Sequence, residues 1–204
     1  MGGDFYDLLA LPDDSVALVV GDVVGHDVAA AAAMGHLRGL LRAVIWDAGD
    51  ADPAFVLTRV DRLVQGLRVA SLATMVYARA LRPDGEGEPW RVHIANAGHP
   101  PMLLRQPNGS VQILSEVTGL LVGVDVSSQR ESVVLRVPRG STLLAYTDGL
   151  IERPGQDMDQ GIHELCERIM GAPRDAGPRE LCDVAVSGAL DHRDDVALIA
   201  VRFG

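Results

Sequence analysis

Aspartates stand at the ends of four apolar segments of this chain, where carboxylates can bind metal ions. The four are Asp4 before "FYDLLAL", Asp22 after "VALVVG", Asp148 after "LLAYT" and Asp194 before "DVALIAV". An ionised carboxylate at the end of a buried strand is costly unless cations or hydrogen bonds neutralise it. Neighbouring antiparallel strands run in opposite directions, so the start of one lies beside the end of the next. The four aspartates are therefore predicted to converge at one edge of a sheet.

Converging carboxylates favour hard divalent cations, and Mg²⁺ or Mn²⁺ suit such oxygen ligands. Glycine adjoins Asp4, Asp22 and Asp148, which allows backbone carbonyls and water to approach closely. The alternative is that each aspartate is an ordinary turn residue, because Asp and Gly are abundant in turns. That alternative suits any single position, whereas the repetition at four apolar segments favours a metal site.

The composition limits the possible partners. The 204 residues are 48% hydrophobic, enough for one well-packed domain, and the net charge is −10. All 18 basic residues are arginines. An acidic chain of this kind is not expected to bind nucleic acid or an anionic membrane. Without a signal peptide or an apolar run of the roughly 20 residues that span a bilayer, we expect a cytoplasmic protein.

The two cysteines, Cys166 and Cys182, lie at helical spacing and belong to no CxxC pair. We expect buried structural thiols rather than redox or nucleophilic groups. The chemistry is therefore expected to come from carboxylates and bound cations.

The order of predicted elements indicates the fold class. Two strands are followed by two helices, several hairpin-connected strands, two further helices and a last strand, "DVALIAVRF". Asp27 is predicted to cap the first helix, and Asp52 with Pro53 to begin the second. Because no strand–helix–strand alternation occurs, we predict an α+β fold in which helix pairs cover antiparallel sheets.

Five motifs occur in a fixed order along the chain: "GGDFYD", "GDVVGHD", "NAGHPP", "YTDGLIE" and "DDVALI". The set resembles the SpoIIE/RsbU branch of the PPM-type (protein phosphatase 2C-like) metal-dependent serine/threonine phosphatases, over essentially the whole length from Gly2 to Arg202. Each motif alone is weak, and the ordered set is specific. The resemblance implies an αββα four-layer sandwich, two antiparallel sheets flanked by helix pairs, with two or more Mn²⁺ or Mg²⁺ ions at one end.

The resemblance also implies roles for individual residues. The implied metal ligands are Asp4, Asp22, the backbone carbonyl of Val23, Asp148 and Asp194. Asp22 would bridge two ions, and Asp22 and Asp148 are the acids on which catalysis is expected to depend. Asp7 and Asp195 are secondary candidates. In the implied mechanism a metal-bound water attacks phosphorus in line, so no protein nucleophile is needed.

Several positions leave alternatives open. Asp27 stands where the family usually has Gly, either as a structural cap or as an extra carboxylate near the metals. His26 and His99 could donate a proton to the leaving serine oxygen or shape loops through hydrogen bonds. A phosphate-binding arginine is not identified; it could belong to a segment preceding this chain, or Arg193 could serve.

The leading hypothesis is a phosphatase that acts on phosphoserine or phosphothreonine of a protein. By analogy with the family, the substrate would be an anti-sigma-factor antagonist, and an upstream sensor domain would precede a single domain, residues 1–204, that lacks its own beginning. The first alternative is a catalytically inactive phosphatase-like protein-binding module. The second is a phosphoesterase for small molecules, which the lack of a glycine-rich nucleotide loop disfavours.

Overall fold

The computed structural model describes residues 2–69, 72–83, 85–153, 155–187 and 195–204. In these parts of the chain the strands and helices follow the predicted order. They are β1 (Phe5–Ala10), β2 (Val16–Val23), α1 (Val28–Ala48), α2 (Pro53–Leu67), β3 (Ala73–Leu81), β4 (Trp90–Ala97), β5 (Met102–Arg105), β6 (Val111–Leu114), β7 (Val133–Val137), β8 (Thr142–Tyr146), a 3₁₀ turn (Asp148–Leu150), α3 (Met158–Gly171), α4 (Pro178–Ser187) and β9 (Leu198–Arg202).

The strands form two antiparallel sheets. The first, sheet A, has the order β1-β2-β3-β4-β7, and the second, sheet B, has the order β6-β5-β8-β9. Alternate residues of each strand point to one face, so the apolar residues of neighbouring strands align. One face of each sheet contributes to a shared core that includes Leu18, Val76, Met102, Leu104 and Leu143. The two sheets therefore pack face to face.

A helix pair covers the outer face of each sheet. Leu37 and Leu41 of α1 and Leu57 of α2 pack on sheet A in a second core cluster, and all three are fully buried. Leu165 of α3 and Leu181 of α4 pack on sheet B in a third cluster. The predicted αββα sandwich and the α+β class are confirmed.

The helix starts follow the predicted capping chemistry. The Asp27 Oδ1 accepts a hydrogen bond of 2.8 Å from the backbone N–H of Ala30, and the Asp52 Oδ1 accepts one of 2.8 Å from Ala54. Pro53 occupies the first turn of α2, where its missing N–H is harmless. By length and composition α1 could cross a membrane; here it packs on sheet A.

The two sheets end in open edges on the same side of the sandwich. In β1, Tyr6 and Leu8 pair with Val20 and Leu18, which belong to the core between the sheets. Tyr6 and Leu8 are nevertheless 51% and 47% exposed. Sheet B ends there at β9, whose outer edge pairs with no described strand. An additional strand beside β9 would cover these side chains, and the expectation of such an element stays a prediction.

Candidate metal centre

Asp4 and Asp22 meet because β1 and β2 are antiparallel neighbours. Phe5 pairs with Gly21. Asp4 precedes Phe5 and Asp22 follows Gly21, so the two aspartates lie at the same end of sheet A. The pairing continues past the strand, where the backbone N–H of Val23 donates a 3.1 Å hydrogen bond to the Gly3 carbonyl. A Cβ at Gly3 would collide with the Val23 carbonyl oxygen and lie 2.6 Å from the Asp22 Oδ1. Only glycine leaves room for these two oxygens.

Asp148 comes to the same place from sheet B through Thr147. The hydroxyl of Thr147 donates a 2.7 Å hydrogen bond to the Asp4 Oδ2 and accepts one of 2.8 Å from the backbone N–H of Ala197. The backbone N–H of Thr147 donates to the Ala197 carbonyl at 2.9 Å. Thr147 thus joins the ends of β8 and β9 to the start of β1. Asp148 follows it directly and accepts a 3.0 Å hydrogen bond from the backbone N–H of Gly149.

Asp195 lies at this end as well. A Cβ added at Gly2 would collide with the carboxylate of Asp195, and one added at Gly149 would collide with its backbone carbonyl. Two glycines from different sheets therefore pack against one aspartate. Asp194, the fourth predicted metal-binding side chain, lies outside the described residues, as does Arg193.

The predicted ligands that the structure describes lie at one end of the sandwich but do not form a metal-binding group. Among the described residues, no three His, Cys, Asp or Glu side chains are close enough to form a metal-binding group. The predicted ligands at this end of the sandwich are carboxylates and the Val23 carbonyl, all hard oxygen donors; the Val23 carbonyl and the Asp22 carboxylate lie side by side at Gly3, and Asp4 is bonded to Thr147, the neighbour of Asp148. This donor set fits Mg²⁺ or Mn²⁺ and would not select a soft metal. The assignment of these residues as ligands stays a prediction.

A cleft of about 730 Å³ opens beside the carboxylates. It runs between α1 and α4, over the start of β1 and the residues that lead into β9. Asp4 and Asp195 line it, together with Tyr6, Met34 and Arg38. This space, of the size that small ligands occupy, therefore reaches the candidate centre at Asp4.

His99 ties the two sheets together beneath the carboxylates. Its side chain is buried, with Nδ1 2.9 Å from the Thr74 hydroxyl and Nε2 3.0 Å from the Tyr146 carbonyl. Thr74 pairs with Asp22 in the sheet, and Tyr146 lies two residues before Asp148. A carbonyl can only accept, so Nε2 carries the proton and Nδ1 accepts from Thr74.

The charge state of His99 follows from its burial, which lowers the pKa of the imidazole to about 4. The ring is neutral near pH 7, and both nitrogens are engaged in hydrogen bonds. Asn96 fixes the backbone of His99 through two further hydrogen bonds of 2.9 and 2.8 Å. These contacts support a role in shaping the site rather than in donating a proton to a leaving group.

Asp7, a secondary candidate, is an ion-pair residue. Its carboxylate lies 3.3 Å from Arg38 and 3.4 Å from Arg42, one turn apart on α1.

Two other predictions concern structural residues. Asp27, which stands where the family usually has Gly, caps α1, and this supports its interpretation as a structural residue. Burial raises the pKa of the thiols of Cys166 and Cys182, as expected for structural cysteines.

Arg38 is the feature of this region that the sequence motifs did not indicate. Its contact with Asp7 joins residues 31 positions apart, so no local pattern signals it. The spacing of Arg38 and Arg42 by one helical turn was the available hint, since both then face the same strand.

Comparison with known families identifies the domain. The family described as Stage II sporulation protein E (SpoIIE) matches residues 12–204. The chain belongs to the SpoIIE family. The predicted membership of the SpoIIE/RsbU branch of the PPM-type phosphatases is confirmed.

Relatives of the SpoIIE-family domain include the phosphoserine phosphatase RsbP of Bacillus subtilis, 25% identical over 74% of this chain and 37% of RsbP. A solved structure of the RsbU and RsbW domains of Rv1364c from Mycobacterium tuberculosis shares 32% identity, with a TM-score of 0.83 over 99% of this chain and 56% of that one. The PP2C phosphatase domain of SpoIIE from Bacillus subtilis has a TM-score of 0.79 at 17% identity, over 98% and 58% of the two chains.

The SpoIIE-family domain thus spans little more than a third of RsbP and about half of each solved chain. PP2C-like phosphatases are metal-dependent as a class, which agrees with the oxygen-rich end of the sandwich.

Proposed function

We propose that this domain hydrolyses phosphoserine or phosphothreonine on a protein, using two or more Mn²⁺ or Mg²⁺ ions. The ions would be held by Asp4, Asp22, the Val23 carbonyl, Asp148 and Asp194. The observation that carries the proposal is the hydrogen bond from Thr147 to Asp4. This hydrogen bond brings Asp4, before β1 of sheet A, and Asp148, after β8 of sheet B, to one end of the sandwich.

Bound divalent cations would supply a water of lowered pKa and would offset charge on the phosphoryl oxygens. The chain's own residues prepare this chemistry. Gly3 lets the Val23 carbonyl and the Asp22 carboxylate lie side by side, and Thr147 holds one oxygen of Asp4. The neutral His99 fixes the distance between the strands that carry Asp22 and Asp148 without adding charge.

The substrate that we propose is a phosphorylated anti-sigma-factor antagonist, by analogy with the family. Two relatives support a regulatory protein substrate: RsbP is named a phosphoserine phosphatase, and the Mycobacterium tuberculosis chain combines an RsbU domain with an RsbW domain. We further propose an upstream sensor domain in the full-length protein and a cytoplasmic location. No partnership with nucleic acid or membrane is proposed for a chain of net charge −10.

Turnover assays test the proposal directly. The protein is given a phosphoserine protein, an aryl phosphate or a nucleotide, with Mn²⁺, Mg²⁺ or a chelator. We expect metal-dependent release of phosphate from the phosphoprotein, abolished by Asp148→Asn and retained by Asp50→Asn. Asp50 is a suitable control because it is an exposed aspartate between α1 and α2.

Two outcomes would contradict the proposal. A folded protein without turnover under any metal would indicate the inactive protein-binding module instead. Preference for the nucleotide over the phosphoprotein would indicate a phosphoesterase for small molecules.

A further inference from the structure

Thr147 is held rigidly at the point where the two sheets meet. Its side chain is fully buried. Two hydrogen bonds join it to a single residue, Ala197: the backbone N–H of Thr147 donates to the Ala197 carbonyl at 2.9 Å, and the Thr147 Oγ1 accepts from the Ala197 N–H at 2.8 Å. A β-branched side chain also has few rotamers available. The hydroxyl oxygen of Thr147 therefore has a fixed position.

The hydroxyl proton of Thr147 points to Asp4. A hydroxyl has one proton, and two acceptors are within reach: the Asp4 Oδ2 at 2.7 Å and the Ala197 carbonyl at 3.3 Å. The carboxylate is nearer and charged, whereas the Ala197 carbonyl already accepts from the Thr147 backbone. Hydrogen bonds to an ionised acceptor are among the strong ones in proteins. One of the two carboxylate oxygens of Asp4 is therefore committed to Thr147.

This hydrogen bond restricts how Asp4 can bind a divalent cation. A cation held by both oxygens of the carboxylate would lie close to the hydroxyl proton on Oδ2, and the partial positive charge of that proton opposes such a position. With Oδ2 held by Thr147, Asp4 can give a cation at most one oxygen, Oδ1. The contact thus favours coordination by one oxygen over coordination by both.

The number of oxygens that a carboxylate gives separates Ca²⁺ from Mg²⁺ and Mn²⁺. Ca²⁺ takes about six to eight oxygen ligands in flexible geometry, often with both oxygens of one carboxylate. Mg²⁺ demands a near-ideal octahedron at shorter distances, and Mn²⁺ also takes octahedral sites built from oxygen. The two oxygens of one carboxylate lie too close together to fit that octahedron well. A carboxylate restricted to one oxygen therefore suits Mg²⁺ and Mn²⁺ better than Ca²⁺.

We propose that Thr147 determines the metal specificity of the centre, because it restricts Asp4 to one oxygen and so selects Mg²⁺ or Mn²⁺ over Ca²⁺. Thr147 is a positioning residue in this role, since it contacts the carboxylate and not the ion. The inference rests on the proposed metal centre and adds to it a residue outside the ligand set that controls which ion binds. It concerns ion binding, so it can be tested without turnover.

The test compares Thr147→Val with Thr147→Ser by calorimetric titration of Mn²⁺ and of Ca²⁺ into the metal-free proteins. Valine keeps the shape of threonine but loses the hydroxyl, whereas serine keeps the hydroxyl. We expect Thr147→Val to lower the ratio of Mn²⁺ affinity to Ca²⁺ affinity about 10-fold or more, because loss of a hydrogen bond to a ligand weakens Mn²⁺ binding while the released oxygen favours Ca²⁺. Thr147→Ser should keep the ratio within about twofold of the wild-type value, since the serine hydroxyl can make the same bond.

Thr74→Val is the matched control. Thr74 also contributes a hydroxyl to the link between the sheets, but this hydroxyl bonds the Nδ1 of His99, at 2.9 Å, rather than a predicted ligand. Its loss should change the affinities for both ions by similar factors, so their ratio should stay within about twofold of the wild-type value. An equal fall of the ratio in Thr74→Val and Thr147→Val would mean that the ratio follows the packing of the two sheets, and the inference would be wrong.

Two further results overturn the inference. In the first, Thr147→Val loses affinity for Mn²⁺ and Ca²⁺ by the same factor, which would make Thr147 a purely structural residue. In the second, Thr147→Ser loses selectivity as much as Thr147→Val does. If urea unfolding in chelator shows that Thr147→Val does not fold, Thr147→Cys replaces it, because a thiol is only a weak donor. Thr147→Cys must then lower the ratio, or the inference is wrong.

The inference and the proposed function fail in different ways. A wild-type protein that prefers Mn²⁺ through Thr147, but releases no phosphate from a phosphoprotein or an aryl phosphate, would refute the proposed function and leave the inference intact. Turnover of the phosphoprotein together with an unchanged ratio in Thr147→Val would refute the inference alone. A wild-type protein that binds neither ion would contradict both.

Discussion

Two aspartate sites of this domain are built in opposite ways. Asp61 of α2 is 2% exposed, and its Oδ2 lies 2.6 Å from the Nη2 of Arg130. Its Oδ1 accepts a 2.9 Å hydrogen bond from the backbone N–H of Gly123. At the candidate metal centre, by contrast, Asp4, Asp22 and Asp148 are only partly buried and are bordered by glycines.

The difference shows that the groups around an aspartate indicate whether its role is structural or chemical. Arg130 supplies the compensating charge for Asp61 and also donates to the Leu120 carbonyl at 2.8 Å, so this pair is a structural one. At the other end, the glycines leave space beside the carboxylates and the Val23 carbonyl, which is what a bound ion and its water would need.

The two sites are connected through one short stretch of chain. The segment fixed by Arg130 continues to Val122, which exchanges two backbone hydrogen bonds of 3.0 and 2.9 Å with Ala73. Ala73 pairs in turn with Val23, whose carbonyl is a candidate ligand. The buried ion pair therefore supports the backbone at the candidate centre, and the predictions below distinguish support from chemistry.

The largest effect is expected at the candidate centre. Asp22→Asn should lower turnover about 1000-fold, because the loss of the proposed bridging ligand would remove several kcal/mol of transition-state stabilisation. The free energy of unfolding in chelator should change by about 1 kcal/mol or less. Steady-state rates and urea unfolding measure the two quantities. A large loss of stability with little loss of turnover would make Asp22 a structural residue like Asp61.

For the buried Asp61–Arg130 pair we expect a large loss of stability and a small loss of turnover. Arg130→Met leaves the Asp61 carboxylate buried without its cation and should lower the free energy of unfolding by about 3–5 kcal/mol. Turnover per folded molecule, measured well below the unfolding temperature, should fall far less than in Asp22→Asn. The double variant Asp61→Leu, Arg130→Met is the control and should recover most of the stability. If it does not, the pair is not the source of the loss.

His99 should make stability depend on pH. The folded pKa of about 4 lies below the ordinary value of 6.5, so the unfolded chain takes up the proton first as pH falls. The stability of the neutral form is complete above about pH 6.5 and is lost toward pH 4, by about 3 kcal/mol at most. Urea unfolding of the wild-type protein and His99→Gln between these pH values isolates this contribution. If the free energy of unfolding depends on pH in the same way in both proteins, His99 is not the group that causes the pH dependence.

The smallest effect is expected from a pair of glycine substitutions. Gly3→Ala would push a Cβ into the Val23 carbonyl and the Asp22 carboxylate, at a cost of about 1–3 kcal/mol, and should weaken Mn²⁺ binding. Gly35→Ala in α1 has nothing within 4 Å and should stabilise the protein by about 0.5–1 kcal/mol. Similar effects of the two substitutions on Mn²⁺ affinity would remove the argument that Gly3 makes room for ligands.

Local patterns in the sequence were sufficient for the elements but not for the long-range pairs. The caps Asp27 and Asp52, the turn signals and the apolar runs predicted the order of strands and helices because each acts over a few residues. Strand direction and the family resemblance together predicted that Asp4, Asp22 and Asp148 lie at one end of the sandwich, and their role as ligands stays a prediction.

The pairs that sequence analysis missed join distant positions. Asp61 and Arg130 are 69 residues apart, and His99 reaches Tyr146 across 47 residues. One signal was available, since Asp61 lies on the buried stripe of α2 with Leu57 and Val64, where a charge requires a partner. Nothing local identified that partner, because tertiary packing alone brings the segment before β7 against α2.

The central claim is that aspartates from two sheets bind the same divalent cations. Calorimetric titration of Mn²⁺ into the metal-free wild-type protein, Asp4→Asn and Asp148→Asn tests it most directly. We predict saturable binding of two or more ions to the wild-type protein, and a loss of affinity of about 10-fold or more in each variant, although the two aspartates come from different sheets. Wild-type protein that binds no Mn²⁺, or variants that bind it as tightly as the wild type, would contradict the account.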